Sequence, residues 1–249
     1  MDLFNMLNGL DLFSGIGGIS LALREWVRPV IYCEIDPYCQ AVLLSRMADE
    51  LLSNGPIWDD IRTLQGLPFN GSIDIIYGGF PCQDISIAGL GKGLDGERSG
   101  LFFEIIRLAE EIKPKFIFLE NVPAITSRGG LQVVKEIAEM GYDCRWCCIS
   151  ASSVGALHKR ERWFLLAYLN SQRGSRLPFG KTEGQPKSRV YIKYKKWESW
   201  MENESPLLRK DDVIPFRMDR VKAMGNSVVP EQAKQAFKIL IGLQYAKTS

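Results

Sequence analysis

Short apolar runs alternate with longer amphipathic stretches through the first 170 residues, and this alternation limits the folds that the chain can adopt. Several of the runs are apolar nearly throughout, as strands covered on both faces must be. The strand candidates are residues 9–14, 30–36, 73–80, 115–122, 144–150 and 162–169. The helical patterns between them are 17–26, 37–53, 99–112 and 130–140. Strands and helices in alternation predict an α/β fold with a doubly wound, mainly parallel sheet.

The rest of the chain divides into a segment without periodicity and a final helix. From about Asn170 to Phe216 the sequence is polar, basic and aromatic, with glycine and proline scattered through it. Residues 230–246 open with a proline and carry an apolar stripe, so they predict a helix. We therefore expect a main domain at 1–169, a small segment at 170–216, and a return segment at 217–249 that completes the main domain.

Charge is unevenly distributed along the 249 residues. The overall fractions of hydrophobic residues (46%) and charged residues (24%) are those of an ordinary globular protein. Residues 1–150 carry 12 Lys+Arg against 20 Asp+Glu, a balance of −8, whereas residues 151–220 carry 15 against 8, a balance of +7. A basic segment on a weakly acidic body predicts contact with a polyanion such as a nucleic acid. The alternative is that these lysines and arginines only solvate a loop-rich region.

The cysteines and the N-terminus bear on the compartment. No apolar run approaches the roughly 20 residues that span a bilayer, and the acidic N-terminus has no basic stretch typical of a secretory signal. The six cysteines therefore predict reduced thiols in a cytoplasmic protein. A zinc site is not expected, because the single histidine, His158, and the one CxxC supply too few ligands.

The segment CRWCC, residues 144–148, is read as part of a strand. Alternation would place Cys144 and Cys148 on one face of that strand and Cys147 on the other. We favour buried strand cysteines here, with a redox pair as the alternative.

Three turns follow successive strand candidates and carry glycines or carboxylates. The first, DLFSGIGG from Asp11 to Gly18, can turn tightly and let a ligand approach the backbone. The second holds Glu34, where a carboxylate can bind a ribose hydroxyl, and the third is Asp59-Asp60-Ile61. Together they predict an adenosine-containing cofactor. Tight packing at the glycines and helix capping by the carboxylates are the alternatives.

The strand candidate 73–80 leads into Pro81-Cys82-Gln83 and then into a loop with five glycines. A proline before the cysteine and glycines after it predict a presented nucleophile followed by a mobile lid at 84–98. An inert thiol is the alternative reading of Cys82.

Two further constellations could carry proton transfer and anion binding. Glu120, at the end of KFIFLENV, lies among apolar residues, where a raised pKa and proton donation are plausible; helix capping is the alternative. In HKRER, alternation puts Arg160 and Arg162 on the same face, which suits a phosphate or the carbonyl of a base. Surface pairing with Glu161 is the alternative there.

Taken in order, the segments DLFSGIGG, EID, DDI, GGFPCQ, ENV, HKRER and RMDRVKAMGNSVVP resemble the cytosine-5 DNA methyltransferase family. They cover nearly the whole chain apart from about 170–200. The resemblance implies a Rossmann-like enzyme that uses S-adenosylmethionine, and no metal, to methylate carbon 5 of cytosine in double-stranded DNA after base flipping. An RNA cytosine methyltransferase and a non-catalytic nucleic-acid-binding relative are the alternatives.

The resemblance also implies a role for individual residues. Cys82 matches the nucleophile, Glu120 the acidic residue at ring N3, and Arg160 with Arg162 the pair that holds the base and its backbone. The implied cofactor-binding residues are Asp11, Phe13, Gly15, Gly17, Glu34, Ile35, Asp60, Ile61, Pro81, Asn226 and Ser227. The implied DNA-binding residues are Gln83, Ser86, Arg98, Lys193, Lys195 and Lys196.

The chain departs from the family pattern at three places. His158 stands where the family usually has glutamine, Ala88 replaces a serine that some members carry in the lid, and only about 47 residues, 170–216, are left for target recognition. Reading a site in the major groove takes several rigidly held side chains. We therefore expect a reduced target-recognition segment with short or relaxed specificity, or a helper chain. A monomer in a bacterial or phage-infected cell, with or without a cognate restriction endonuclease, fits the family.

Overall fold

The computed structural model describes residues 6–81, 100–169 and 228–242. Its strands are β1 (Leu7–Leu12), β2 (Val27–Cys33), β3 (Ile57–Trp58), β4 (Ile75–Gly79), β5 (Phe116–Asn121), β6 (Tyr142–Ser150) and β7 (Glu161–Leu169). Its α-helices are α1 (Gly18–Leu23), α2 (Pro37–Ala48), α3 (Gly100–Ile112), α4 (Gly130–Glu139) and α5 (Pro230–Leu240). Short 3₁₀ helices lie at Leu67–Phe69, Pro123–Ser127 and Ala151–Val154. None of the helices in these ranges has the length and apolar character needed to cross a membrane.

The seven strands of the described residues belong to one sheet in the order β3-β2-β1-β4-β5-β7-β6. Neighbouring strands in the part β3-β2-β1-β4-β5 of this order pair in parallel. In contrast, β7 runs antiparallel to both of its neighbours, β5 and β6. The predicted doubly wound, mainly parallel α/β fold is thus confirmed. The order reverses between β1 and β4, and in such sheets ligands bind in the crevice at the carboxyl ends of the strands flanking this point.

Successive strand residues face two separate layers of the core. In β5, Ile117 and Leu119 face the layer that includes α3 and α4, whereas Phe116 and Phe118 face the layer that includes α1 and α5. Every residue of β5 is buried, as expected for a central strand covered by helices on both faces. This double burial explains why the strand candidates were apolar nearly throughout.

Helix α5 docks on the middle of the sheet although it follows the other elements in sequence. Phe237 meets Phe118 edge-to-face at 5.2 Å between ring centroids, and Phe118 stacks on Phe164 of β7 at 5.8 Å. Such aromatic pairs stabilise by roughly 0.5–1.5 kcal/mol beyond the area they bury. Helix α5, which follows the basic residues 151–220 in sequence, therefore packs into the same core as strands β1–β7.

Some predicted boundaries shifted for local reasons. Helix α2 ends at Ala48, before the predicted residue 53, because Glu50 adopts a left-handed conformation (φ 56°) that turns Leu52 back into the core. Strand β2 ends at Cys33, because Asp36 caps α2 by accepting hydrogen bonds from the backbone N–H groups of Tyr38 and Cys39. The two-residue strand β3 was not predicted.

The cysteines of β6 follow the predicted alternation. Cys144 and Cys148 pack against the layer of α3 and α4, whereas the buried Cys147 belongs to the opposite layer. Burial raises the pKa of Cys144 and Cys147 to about 12, so both side chains stay protonated thiols near neutral pH. A redox pair between Cys144 and Cys147 is disfavoured, because the two side chains face opposite sides of the sheet.

A buried polar network joins β1, α1 and β4 beneath the first glycine-rich turn. Asp11 is only 1% exposed, and Ser20 donates to its Oδ2 at 2.6 Å. The Ser20 hydroxyl also contacts the hydroxyl of the fully buried Tyr77 at 2.7 Å. Burial, and to a lesser extent the nearby Glu34, raise the pKa of Asp11 to about 8, although the hydrogen bond from Ser20 lowers it. The raised pKa favours the protonated form of Asp11 in the folded protein.

Gly78 in β4 is required by the close approach of β1. A Cβ atom at this position would lie 2.0 Å from the carbonyl oxygen of Leu12, a backbone atom that cannot move without breaking the pairing of the two strands. The sheet therefore depends on a glycine immediately before the end of β4.

Replacing Gly78 with alanine is expected to lower the free energy of unfolding by about 3 kcal/mol, because the added methyl group overpacks two central strands. Chemical denaturation measures the loss. Gly100→Ala is the matched control, since no atom of the described residues lies within 4 Å of a Cβ there, and it should change stability by less than about 0.5 kcal/mol. Equal effects of the two substitutions would contradict the steric account.

Replacing Asp11 with asparagine should stabilise the protein in a pH-dependent manner. In the wild type, folding takes up a proton between the ordinary carboxyl pKa of 3.8 and the folded value of about 8. As pH rises through this window, the free energy of unfolding of the wild type therefore falls by at most about 1.4 kcal/mol per pH unit. The Asp11→Asn variant lacks this dependence, because asparagine takes up no proton. Unfolding free energies measured from pH 4 to 9 should show the advantage of Asp11→Asn growing up to about pH 8. A constant difference would show that Asp11 does not bind a proton on folding.

Candidate active site

The first two turns at the carboxyl edge of the sheet are joined by the buried side chain of Glu34. Its Oε2 accepts a hydrogen bond from the backbone N–H of Gly15 at 2.6 Å, and its Oε1 accepts one from Asp36 at 2.8 Å. Among the described residues, nothing lies within 4 Å of a Cβ built on Gly15. The turn is thus fixed from below by Glu34, and no described residue fills the space beside Gly15.

Arg46 supports the same turn from α2 and was missed by sequence reasoning. Its Nη1 donates to the carbonyl oxygen of Ile16, between the two glycines of the turn. Partial burial lowers the pKa of Arg46. Its position in the last turn of α2 gave no signal, because arginine at a helix C-terminus is common for other reasons.

The predicted cofactor residues of the next two strand ends lie along the same edge. Ile35 is 64% exposed, and the adjacent strand end exposes 42% of Trp58, whose Nε1 donates to Thr63. Trp58 was not predicted as a site residue. Asp60 accepts hydrogen bonds from both Nε and Nη2 of Arg62, and this pairing lowers the pKa of Asp60. Carboxylates beside exposed apolar side chains are suited to an adenosine group.

The other predicted cofactor residues differ in how they face this edge. Phe13 is half-buried with a positive φ of 52°, Gly17 is the N-cap residue of α1, and Pro81 is exposed. The side chains of Asp11 and Ile61 are buried in the core, so both support the turns from beneath. Helix capping, the alternative weighed for the carboxylates, applies to Asp36 and not to Glu34.

Glu120 forms a buried ion pair at the end of β5. Its Oε1 lies 2.7 Å from Nε of Arg162 on the antiparallel neighbour β7, and both side chains are largely buried. Gly79 is the neighbour on β4, where a Cβ would lie 2.5 Å from Glu120 Oε2, so the missing side chain makes room for the carboxylate. Burial raises the pKa of Glu120 to about 6, opposed by the charges of Arg162 and Arg160.

The two arginines act on one carboxylate, as their predicted common face requires. Arg162 pairs with Glu120, and its Nη1 donates to the main-chain carbonyl of Glu161 at 2.9 Å. Burial and the neighbouring Arg162 charge lower the pKa of Arg160. The surface pairing with Glu161 was weighed for both arginines; Arg162 instead forms the buried pair with Glu120.

Asn121 fixes the chain that leads to Cys82. Its Nδ2 donates to the carbonyl oxygen of Phe80 at 2.9 Å, and its Oδ1 accepts from the backbone N–H of Val122. The end of β4 is thereby held against the end of β5. Phe80 and Pro81 are the last described residues before Cys82.

Several predicted site residues lie outside the described ranges. They are Cys82, Gln83, Ser86, Arg98, Lys193, Lys195, Lys196, Asn226 and Ser227. The predicted lid at 84–98 and the segment 170–216 lie outside them as well.

The chain matches the family model of C-5 cytosine-specific DNA methylases over residues 7–211. It is 35% identical over 229 residues to the type II methyltransferase M.CviJI of Paramecium bursaria Chlorella virus IL3A, covering 92% of this chain and 58% of that relative. It is also 35% identical over 170 residues to M.HhaI of Haemophilus parahaemolyticus, covering 66% of this chain and 50% of that relative. The chain thus spans about half the length of these curated relatives.

Solved structures show the same fold. A protein described as a DNA modification methyltransferase of an Escherichia coli prophage is 28% identical, with a TM-score of 0.55 over 67% of this chain and 48% of its own. The Dnmt2 methyltransferase of S. pombe, 24% identical, has a TM-score of 0.56 over 72% of this chain and 53% of its own, and supports the fold alone. With the family model matching most of its length, the chain belongs to the C-5 cytosine-specific DNA methylase family.

Proposed function

We propose that this protein transfers a methyl group from S-adenosylmethionine to carbon 5 of cytosine in double-stranded DNA. The observation that carries the proposal is the buried pair of Glu120 and Arg162 at the carboxyl edge, beside the strand end that leads to Cys82. A carboxyl and a guanidinium at this place offer a proton for a ring nitrogen and donors for a carbonyl oxygen. Cytosine presents both groups, N3 and O2, on one edge.

Cys82 starts the reaction in this proposal. Carbon 5 of cytosine is too weak a nucleophile to take a methyl group directly, so the Cys82 thiolate first adds to carbon 6 and forms a C–S bond. The ring electrons then pass to carbon 5, which takes the methyl group. Loss of the carbon 5 proton to a base re-forms the double bond and expels the Cys82 thiolate. S-adenosylmethionine would supply the electrophilic methyl group in this sequence, its sulfur–methyl bond breaking to leave S-adenosylhomocysteine.

Glu120 and Arg162 handle the charge that develops on the ring. A carboxyl group whose pKa is about 6 exchanges a proton readily near neutral pH, which suits hydrogen bonding or proton donation to N3. Arg162 binds the O2 carbonyl, and Arg160 binds the backbone beside it. The target base reaches this buried site only after it has left the duplex stack.

The cofactor lies along the edge held by Glu34 in this proposal. Glu34 would accept from the ribose, and the turn from Phe13 to Gly17 with Ile35 would enclose the adenosine. Asp60 would read the adenine, with the buried Ile61 supporting that turn from beneath. The fit rests on the fixed glycine turn, the space at Gly15 that no described residue fills, and the exposed apolar side chain beside a carboxylate. Pro81, Asn226 and Ser227 complete the pocket, and Asp11 supports it from below.

The domain division follows from the same proposal. We assign residues 1–169 and 217–249 to the catalytic part and 170–216 to a reduced target-recognition segment, with Lys193, Lys195 and Lys196 binding phosphates. Gln83, Ser86 and Arg98 contact DNA next to the nucleophile. Because this segment is short, we expect a short or relaxed recognition site, or a helper chain. A cognate restriction endonuclease is compatible with the type II relatives.

Transfer of radiolabelled methyl from S-adenosylmethionine tests the proposal on unmethylated duplex DNA, with tRNA in parallel. The wild type should label carbon 5 of cytosine in DNA. Cys82→Ser should lose at least about 1,000-fold in rate, because a serine hydroxyl is a far weaker nucleophile at neutral pH. Cys147→Ser is the matched control, since Cys147 is a buried thiol on the face of α1 and α5, and it should keep the activity.

Label in tRNA alone would move the substrate from DNA to RNA and contradict the DNA assignment. Label in DNA that persists in Cys82→Ser would contradict the nucleophile. Absence of label in both nucleic acids, with S-adenosylmethionine bound, would contradict catalysis by the chain acting alone.

A further inference from the structure

We infer that Gln232 is a positioning residue that clamps the arginine segment of the active site to the C-terminal helix. Gln232 lies in the first turn of α5 and is fully buried. Its Nε2 donates to two main-chain carbonyl oxygens, that of Ile149 at the end of β6 and that of Arg160 immediately before β7. This inference rests on the proposed function, because it concerns how the base-binding arginines are held.

The two acceptors fix the backbone on both sides of the chain reversal between β6 and β7. The distances are 2.5 Å to Ile149 and 2.9 Å to Arg160. The backbone N–H of Ala151 donates to the same Arg160 carbonyl at 2.9 Å. The carbonyl of Arg160 is thus held from two directions, two residues before Arg162 reaches Glu120.

The segment before α5 reaches the other half of the site as well. A Cβ on Gly18, the first residue of α1, would lie 3.1 Å from the carbonyl oxygen of Val228, so the two backbones are in close contact. Gly18 directly follows the predicted cofactor turn. Residues 228–232 therefore span the distance from the glycine turn to the arginine segment, and Gln232 provides the polar contact at the arginine end.

Only the Nε2 end of the Gln232 amide is paired. Gln232 is fully buried on the helix that carries Ala233 and Phe237 into the apolar layer, and its Oε1 has no hydrogen-bond partner among the described residues. A buried polar atom without a partner lowers stability and offsets part of what the two hydrogen bonds of Nε2 contribute. What distinguishes the amide from an apolar side chain of similar size is that it holds the two carbonyl groups in place.

Gln235 offers a matched comparison one helical turn later. It is 5% exposed on the same helix, and its Nε2 has no hydrogen-bond partner among the described residues. Gln232 and Gln235 therefore share residue type, helix and burial, but only Gln232 is bonded to the arginine segment. Substitutions at the two positions separate the clamp from the general effect of removing a buried amide.

The test compares Gln232→Met and Gln235→Met in the full chain. We expect kcat for methyl transfer to fall at least about tenfold in Gln232→Met, because small misplacements of binding groups are costly in rate. The KM for S-adenosylmethionine should stay unchanged. The pKa of Glu120, followed by NMR of its side-chain carboxyl carbon, should rise, because Arg160 and Arg162 are the charges that lower it. The amide of Ala151 should exchange its hydrogen faster.

Gln235→Met should match the wild type in all four measurements. A Gln232→Met protein whose Glu120 titration equals that of Gln235→Met would overturn the inference, even if Ala151 exchanged faster, because the role would then be structural only. Should Gln232→Met fail to fold, Gln232→Asn keeps the amide but shortens its reach by one methylene, and it should show the same changes. Absence of methyl transfer by the wild type would refute the proposed function, while the Glu120 titration and the Ala151 exchange would still decide the clamp.

Discussion

The ion pair between Glu120 and Arg162 is the interaction on which the proposed chemistry depends. Removing both charges from water costs several kcal/mol per ion, and their attraction commonly does no more than offset this. The raised pKa of Glu120 shows that burial outweighs the two guanidiniums. A pair that adds little to stability, at the edge where such sheets bind ligands, is better explained by a role in binding and proton transfer.

The sheet topology brings this pair together. Glu120 ends a parallel strand, whereas Arg162 lies near the start of β7, and only an antiparallel β7 places the two ends at the same edge. Gly79 on the other side leaves space for the carboxylate, and Asn121 ties the ends of β4 and β5. Three neighbouring strands thus converge on one carboxyl group beside the segment that carries Cys82.

Much of the fold was predictable from the sequence, because strands buried on both faces must be apolar nearly throughout. The runs that became β1, β4, β5 and β7 were recognised for this reason, and alternation correctly divided the cysteines of β6 between the two layers. The direction of β7 was not predictable, because periodicity records burial and not strand polarity. Strand β3 was missed because its two residues form no pattern.

The candidate site was predictable only where a motif carried it. Cys82, Glu120 and the arginines stood out by their order along the chain, but the contacts that hold the site did not. Arg46 and Gln232 support backbone carbonyls 30 and 72 residues away in sequence, respectively, and no local pattern encodes contacts of that range. Asp11, grouped with the cofactor residues by its motif, lies buried beneath the turn, and burial raises its pKa.

A crystal structure of the chain trapped on duplex DNA containing 5-fluorocytosine tests the central claim most directly. Fluorine at carbon 5 blocks the final proton loss, so the adduct should persist after methyl transfer. We predict a bond from Cys82 Sγ to carbon 6, with Glu120 at hydrogen-bond distance from N3 and Arg162 at hydrogen-bond distance from O2. An adduct on another cysteine, or a base held away from an intact Glu120–Arg162 pair, would contradict the account.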